Sequence, residues 1–158
     1  MEAHLHCPAC GARLVAEGRA QRCVACGRMH FRDPKVGVGV LVRDDDGRLL
    51  LVQRANEPAQ GLWSLPAGFV DAEEDPRAAA ARECLEETGL EVEVGAVVDV
   101  YPSAEGAASF FLVFTATCVG GALAAGDDAS DARFFADDEL PPLAFASTRA
   151  AVSGGGGA

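Results

Sequence analysis

Residues 68–90 read GFVDAEEDPRAAAARECLEETGL, and this stretch decides the organisation of the main domain. Asp75 followed by Pro76 is typical of a helix start, because Asp caps the first backbone amides and Pro suits the first helical position. Gly89 is typical of a helix end, since glycine readily adopts the left-handed conformation found there. The sequence therefore predicts a helix from about residue 76 to residue 88.

The predicted helix has two chemically different sides. At 100° per residue, Glu83, Glu86 and Glu87 fall within about 100° of arc. The opposite side carries Ala81, Cys84, Leu85 and Thr88. Three carboxylates on one face repel one another, and a bound divalent cation such as Mg²⁺ would compensate them. A solvent-exposed acidic face is the alternative explanation for these three residues.

Strand-like segments flank this helix on both sides. The predicted strands cover residues 36–42, 49–53, 63–65, 91–101, 109–119 and 132–135. An acidic turn at residues 44–47 predicts that the first two form a hairpin. Residues 109–119 are almost continuously apolar, which predicts burial on both faces. With a second helix expected over residues 143–152, this order predicts an α/β fold in which helices enclose a mixed sheet.

Four of the six cysteines form two CxxC pairs, Cys7/Cys10 and Cys23/Cys26. A glycine follows each pair and permits the tight backbone turn of a zinc knuckle. Four thiolates would complete a closed tetrahedral Zn²⁺ site with a structural role, because so short a segment buries too little surface to fold alone. The alternatives are a redox dithiol and the replacement of one ligand by a nearby histidine. Those histidines are His4, His6 and His30.

The chain has 158 residues, enough for one compact domain and a small appendage. Residues 1–35 carry a net charge of +3 and the remainder −14. This change coincides with the change in cysteine content, and we expect three parts. They are a zinc ribbon over residues 1–34, a main domain over residues 35–152 and a flexible, glycine-rich tail over residues 153–158.

The overall charge and hydrophobicity exclude several classes of protein. A net charge of −11 argues against tight binding along a nucleic-acid backbone, although the basic ribbon keeps RNA binding as a minor alternative. No run of about 18 apolar residues predicts a membrane span. The first ten residues lack the basic start and apolar stretch of a secretion signal. We therefore expect a cytoplasmic protein.

The spacing within residues 68–90 resembles the Nudix box, in which a glycine, five residues, a glutamate and seven residues precede Arg-Glu-aliphatic-x-Glu-Glu-x-Gly-aliphatic. Every glycine and polar position fits. Cys84 replaces an aliphatic residue, and a buried thiol packs like a small hydrophobic side chain. Residues 61–66 resemble the segment that leads into the box, with Ala67 in place of a common glycine. The resemblance covers most of residues 35–152 and implies the Nudix α/β/α sandwich, an α+β fold with a mixed sheet.

Together with the four-cysteine ribbon, residues 30–35 and 133–141 resemble a zinc-ribbon branch of Nudix hydrolases that acts on FAD and ADP-ribose. The resemblance implies hydrolysis of a nucleoside diphosphate linked to another moiety, with release of AMP. NADH pyrophosphatases also join a zinc ribbon to this box, but their Ser-Gln-Pro-Trp-Pro-Phe-Pro stretch is replaced here by YPSAEG at residues 101–106. An NADH pyrophosphatase and a nucleotide- or RNA-binding module without turnover remain the alternatives.

The resemblance also implies site residues. The expected ligands of a catalytic Mg²⁺ or Mn²⁺ ion are Glu83, Glu86, Glu87 and the backbone carbonyl of Gly68. Arg82 and Glu74 match positions that brace the helix and the loop by an ion pair and orient Glu83. The general base stays open among Glu86, Glu105, Asp128 and Asp131.

Four residues are candidates for binding the substrate. Arg54 follows the second predicted strand and is a candidate for binding a phosphate. Trp63, Tyr101 and Phe110 are candidates for stacking on adenine or flavin, and a role in the core explains each of these aromatics equally well. The family resemblance further suggests a homodimer.

Overall fold

A computed structural model describes residues 5–31, 33–102 and 110–154. The chain divides into two compact units, Met1–Pro34 and Lys35–Ala158. This division falls where the sequence changes in charge and cysteine content.

The small unit contains an antiparallel sheet of three strands, β1 (Leu14–Glu17), β2 (Ala20–Cys23) and β3 (Met29–Phe31). Its buried cluster consists of Cys7, Leu14 and Cys23. Such a cluster is far smaller than the core of a domain that folds without a metal or cross-link.

The larger unit contains seven strands: β4 (Val36–Val42), β5 (Leu49–Arg54), β6 (Trp63–Ser64), β7 (Ala67–Phe69), β8 (Leu90–Pro102), β9 (Phe110–Gly121) and β10 (Ala129–Phe135). They form a four-stranded sheet in the order β7-β4-β9-β8 and a three-stranded sheet in the order β10-β5-β6. Strands β4 and β9 run parallel, whereas the other neighbours are antiparallel. The larger sheet is therefore mixed, as predicted.

The predicted hairpin between β4 and β5 is wrong, although its turn is present. The Asp44 amide donates to the carbonyl of Arg48 at 3.0 Å, and the Gly47 amide donates to Asp44 at 2.9 Å. Beyond a single bridge between Arg43 and Leu49, the two strands enter different sheets. Strand β7 pairs with one edge of β4 and β9 with the other, which leaves no edge for β5.

Helix α1 spans Pro76–Thr88, which confirms both predicted ends. The side chain of Asp75 accepts hydrogen bonds from the amides of Arg77 at 2.8 Å and Ala78 at 3.3 Å. Gly89 has a φ of 70°, and its amide donates to the carbonyl of Leu85 at 2.8 Å. Local capping alone thus fixes both ends of this helix.

The two helices enclose the strands from opposite sides. One core cluster packs α1 against the strands and includes Val38, Val40, Val42, Ala79, Ala80, Cys84 and Phe114. The other lies beneath helix α2 (Ala146–Gly154) and includes Leu49, Leu51, Leu65, Val113 and Ala151. Because Val113 and Phe114 are adjacent on β9 but belong to different clusters, the strand faces both layers. This arrangement confirms the α/β/α sandwich.

The two sides of α1 differ from the prediction. Leu85 was expected on the apolar side but is 46% exposed, whereas Glu87 was expected on the acidic side and is 6% exposed. The buried arc of α1 runs through Ala80 and Cys84, and Glu87 lies within that arc at 100° per residue. A carboxylate therefore takes a position that an amphipathic pattern gives to a hydrophobic residue.

The strand and helix predictions near the C-terminus need two further corrections. Strand β9 is buried only in its first half, and Val119 near its end is 62% exposed. Helix α2 ends at Gly154, so the first two residues of the predicted tail are helical, and residues 155–158 lie outside the described part of the chain. Among the described helices, none is long and apolar enough to cross a membrane.

Candidate active site and cysteine cluster

Helix α1 and strand β7 meet at Gly68. A Cβ atom added to Gly68 would lie 2.0 Å from the carboxyl carbon of Glu83, so any side chain there would displace that carboxylate. Glycine is required because the β7 backbone approaches Glu83 more closely than a side chain permits. The structure thus brings together two of the residues that the sequence predicted as metal ligands.

Glu87 is the buried carboxylate of the site. The Ala67 amide donates a hydrogen bond to its Oε2 atom at 2.9 Å. Burial raises the pKa of Glu87 to about 8, against the opposing effects of the Ala67 amide and the Arg54 charge. Burial therefore favours the protonated form of Glu87 near neutral pH, and a bound metal ion would favour its ionised form.

Glu83 and Glu86 complete the acidic group on α1. Burial raises the pKa of Glu83; the Arg82 guanidinium opposes this shift, and the charges of Glu86 and Asp127 add to it. The side chain of Glu86 is the most exposed of the three, at 44%. The negative charge of this acidic group thus exceeds the positive charge that Arg82 supplies.

Arg82 binds carboxylates of the loop that precedes α1 and of α1 itself. Its Nε and Nη2 atoms each donate to Glu74 at 2.9 Å, a bidentate pair. Its Nη1 atom donates to Glu83 at 2.8 Å and to Glu86 at 3.1 Å, and Nη2 also donates to the Phe69 carbonyl. Hydrogen bonds from Arg82 hold the pKa of Glu74 at about 2. The guanidinium therefore ties the loop, β7 and α1 together.

Gly68, Arg82 and the three α1 glutamates form one wall of a cleft of about 640 Å³. Its described lining includes seven carboxylates: Glu57, Asp71, Glu83, Glu86, Glu87, Asp127 and Asp128. Two cations, Arg54 and Arg82, also line it. Phe69, Phe111 and Phe145 supply apolar surface on the remaining sides. The cleft thus offers oxygen ligands for a cation beside aromatic walls.

The structure places most of the predicted site residues at this cleft. Gly68, Arg54, Arg82 and the three α1 glutamates line it, and Glu74 is joined to it through Arg82. Trp63 and Tyr101 are not among its described lining residues.

The predicted stacking roles of Trp63 and Tyr101 are thus not supported. Trp63 is buried with Phe135 edge-on to it at 4.8 Å, because the short strand β6 points its side chain into the core. Tyr101 packs against the same cluster, and burial raises its pKa. Phe110, the third aromatic candidate, is likewise absent from the described lining of the cleft.

The acidic turn before β10 lies against the C-terminal end of α1. The Gly126 amide donates to the Glu87 carbonyl at 3.1 Å, and a Cβ at Gly126 would lie 2.6 Å from the Glu86 carbonyl. This contact brings Asp128, a candidate general base, to the cleft, where Asn56 donates to it at 2.8 Å. Asp127 lines the cleft as well.

The structure describes only one of the other two candidates for the general base. Asp131 forms an ion pair with Arg133 and is not among the described residues that line the cleft. Glu105 lies outside the described residues. Asp127 was not among the candidates from the sequence, and its only signal there is membership of the acidic turn at residues 126–131.

The four cysteines of the CxxC pairs converge in the small unit. All four Sγ atoms lie within 4.8 Å of one another, and the distance between Cys7 and Cys26 is 3.8 Å. A tetrahedral site with Zn–S bonds of about 2.3 Å has sulfur–sulfur edges of about 3.8 Å. The cluster could therefore hold a metal ion of this size and geometry.

The surroundings favour the thiolate of Cys23 but not that of Cys10, whose pKa is raised to about 11 against the effect of the Ala12 amide, and one histidine lies nearby. Backbone hydrogen bonds from Cys26 and Ala25 lower the pKa of Cys23 to about 6, against the effect of burial. The His30 Nε2 atom lies 3.3 Å from the Cys7 Sγ atom. His6 instead takes part in a backbone bridge to Arg13, and His4 lies outside the described residues.

The raised pKa of Glu87 predicts a pH-dependent stability. Between its ordinary value of 4.5 and about 8, the folded chain holds a proton that the unfolded chain has released, so rising pH destabilises the folded state. Without added divalent metal, we expect the unfolding free energy of the wild type to fall relative to that of Glu87→Gln as the pH rises through this window. Urea denaturation at several pH values measures both curves.

The matched control for this prediction is Glu93→Gln. Glu93 is exposed on β8, so its removal leaves the pH dependence of the wild type unchanged. Parallel curves for the wild type and Glu87→Gln would contradict the protonated state of Glu87.

Comparison with known proteins adds independent information. A model of the NUDIX domain matches residues 33–153. An ADP-ribose pyrophosphatase from Methanocaldococcus jannaschii is 40% identical over 118 residues, which cover 73% of this chain and 69% of that protein. The NAD-capped RNA hydrolase NudC from Stutzerimonas stutzeri is 33% identical over 150 residues, 89% of this chain. The chain spans 51% of the length of that relative.

A solved structure is similar over nearly the whole chain. The crystal structure of a NUDIX hydrolase from Nitrosomonas europaea superposes with a TM-score of 0.84 and is 30% identical in sequence. The superposition covers 94% of this chain and 88% of that one.

Proposed function

Because the chain belongs to the Nudix family of hydrolases, we propose that it hydrolyses the pyrophosphate bond of a nucleoside diphosphate linked to another moiety, such as ADP-ribose or FAD, and releases AMP. The observation that carries this proposal is the convergence of Glu83, Glu86 and Glu87 on one wall of the cleft that Arg54 also lines. Oxygen ligands for a metal ion and a guanidinium that can bind a phosphate thus line the same cleft.

The α1 carboxylates and the Gly68 carbonyl would hold Mg²⁺ or Mn²⁺ in this proposal. Their fit to such an ion rests on the hard oxygen donors and on the burial of Glu83 and Glu87, which raises the pKa of both carboxylates and which a bound cation would offset. When bound, the ion would neutralise the pyrophosphate and lower the pKa of a bound water.

The remaining site residues act by position and charge. Arg82 holds Glu83 and Glu86 in place and is itself held by Glu74, so this network orients the carboxylates before any cation binds. Arg54 is the proposed ligand of a substrate phosphate. The fold divides these tasks between two elements, since Arg82 lies on α1 and Arg54 ends β5.

The cysteine cluster has a separate, structural role in this proposal. It binds Zn²⁺ through Cys7, Cys10, Cys23 and Cys26, within a ribbon over residues 1–34 that precedes a hydrolase domain over residues 35–152. Four thiolates saturate the ion and leave no position for a substrate. A cytoplasmic location and a homodimer stay predictions from the sequence.

A second candidate substrate class is NAD(H) and RNA capped with it. The NudC relative is named for NAD-capped RNA, and its similarity extends over 89% of this chain, against 73% for the ADP-ribose pyrophosphatase. The net charge of −14 over residues 36–158 weighs against a long RNA partner. A free dinucleotide carries the same pyrophosphate without that difficulty.

A product assay tests these alternatives. The purified protein is incubated with Mg²⁺ or Mn²⁺ and ADP-ribose, FAD, NADH or a nucleoside triphosphate, and AMP is separated from the second product. We expect AMP from ADP-ribose or FAD, slower reaction of NADH and no reaction without metal. Fastest turnover of NADH would favour the second candidate, and inactivity on all four would contradict hydrolysis and favour a binding module.

A further inference from the structure

Phe145 occupies the residue before helix α2 and lines the cleft. The preceding segment pairs with β6, because the Ala144 amide donates to the Trp63 carbonyl at 2.8 Å and the Trp63 amide donates to the Pro142 carbonyl at 3.1 Å. The Arg149 amide in the first turn of α2 then donates to the Phe145 carbonyl. The backbone of Phe145 is therefore held from both sides.

The ring of Phe145 contacts the guanidinium of Arg54. The Cζ atom of Arg54 lies 5.1 Å from the ring centre, within the range of a cation–π interaction. On its other side, the Nε atom of Arg54 donates to the Pro58 carbonyl at 2.7 Å. Among the described residues, no side chain or carbonyl accepts a hydrogen bond from the terminal nitrogens Nη1 and Nη2.

The charge of the cleft makes the placement of this guanidinium important. Seven carboxylates and two cations are among the described lining residues. Arg82 is engaged with Glu74, Glu83 and Glu86, whereas Arg54 forms no ion pair with a described carboxylate. A substrate with two phosphates therefore meets one cation whose donors remain available.

We propose that Phe145 is a positioning residue for substrate binding, whose ring holds the Arg54 guanidinium in the orientation that presents Nη1 and Nη2 to the pyrophosphate. The proposal rests on the proposed function, because the pyrophosphate is the expected partner of Arg54. The cation–π contact disfavours rotation of the guanidinium away from the ring and so limits the freedom of a long side chain. The Pro58 carbonyl fixes the remaining torsion by holding Nε.

Such a role predicts a specific kinetic signature. An arginine that binds ground state and transition state alike affects KM and leaves kcat nearly unchanged. Phe145→Leu keeps the bulk but lacks the aromatic face, and we expect it to raise KM for ADP-ribose about 5- to 20-fold with kcat within about threefold. Phe145→Tyr retains the face and should stay near the wild-type KM.

The decisive experiment is a double-mutant cycle with Arg54→Gln. If Phe145 acts through Arg54, Phe145→Leu changes KM by less than about twofold in the Arg54→Gln background. Phe69→Leu is the matched control, because Phe69 lines the same cleft but makes its cation–π contact with Lys35 and not with Arg54. Any effect of Phe69→Leu should persist in the Arg54→Gln background.

Two results would overturn the proposal. An equal rise in KM on Phe145→Leu with and without Arg54 would mean that the ring contacts the substrate or supports the fold instead. A wild-type KM for Phe145→Leu would mean that Arg54 needs no support. Binding of inorganic pyrophosphate to the same variants, measured by calorimetry, tests the pair even if the wild type hydrolyses no substrate, an outcome that would contradict only the proposed function.

Discussion

Glu87→Gln is expected to lower metal-dependent turnover of ADP-ribose by about a thousandfold or more. Loss of several kcal/mol of charge stabilisation at a bound metal corresponds to this factor, at about 1.4 kcal/mol per tenfold in rate. Glutamine keeps the shape of the side chain, and its oxygen still accepts the hydrogen bond from Ala67. The loss should therefore appear in activity and not in folding.

Steady-state kinetics over a Mg²⁺ titration, together with thermal melting, measures this effect. Glu86→Gln should also lower turnover by orders of magnitude, although Glu86 is far more exposed than Glu87. Glu93→Gln on β8 makes the same chemical change away from the cleft and should retain wild-type activity. Turnover of Glu87→Gln within about threefold of the wild type would exclude α1 as the metal platform.

Removal of the proposed zinc ion from the cysteine cluster should unfold the small unit. Zinc contributes about 10–16 kcal/mol of binding free energy in zinc-finger peptides, far more than the buried cluster of Cys7, Leu14 and Cys23 can supply. We expect one zinc ion per chain, released by a strong chelator with loss of amide protection across residues 5–31. Hydrogen exchange read by mass spectrometry, with zinc determined by a metallochromic dye, measures both changes.

Variants separate the metal from other roles of these cysteines. Cys23→Ser should lose zinc and amide protection in the small unit without any chelator. Cys118→Ser changes an exposed cysteine outside the cluster and should retain both. Full amide protection in zinc-free protein, or a disulfide between the CxxC pairs, would favour the redox alternative.

Local signals account for what the sequence could predict. Asp75 and Gly89 determine the ends of α1 through hydrogen bonds within a few residues, so no knowledge of the fold is needed. The spacing of the two CxxC pairs predicts that their sulfur atoms lie close together, and in the structure they do. Helical periodicity likewise places the three α1 glutamates together, whereas their expected role as metal ligands is implied by the resemblance to the Nudix box.

Features that depend on distant partners could not be predicted in this way. The hairpin prediction is wrong because β7 and β9 occupy both edges of β4. The sequence of residues 36–53 carries no information about that pairing. The sequence leaves both a stacking role and a core role open for Trp63, because an aromatic beside a motif looks the same in sequence whether it faces a cleft or the core.

Burial and contacts with other elements also escape a periodic pattern. Glu87 gives no sign that it is buried, because its burial comes from the approach of β7. Phe145 belongs to no motif, and it gains significance only through its contact with Arg54.

The parallel pairing of β4 with β9 has a consequence for how the protein folds. Val36 lies opposite Phe110 in this register, although 74 positions separate them along the chain. Such distant pairing raises the contact order, and a higher contact order slows folding. Because Phe111 on β9 lines the cleft together with Gly68 on β7, the cleft is complete only after this long loop has closed. A nascent chain must therefore complete most of its larger unit before it can bind substrate.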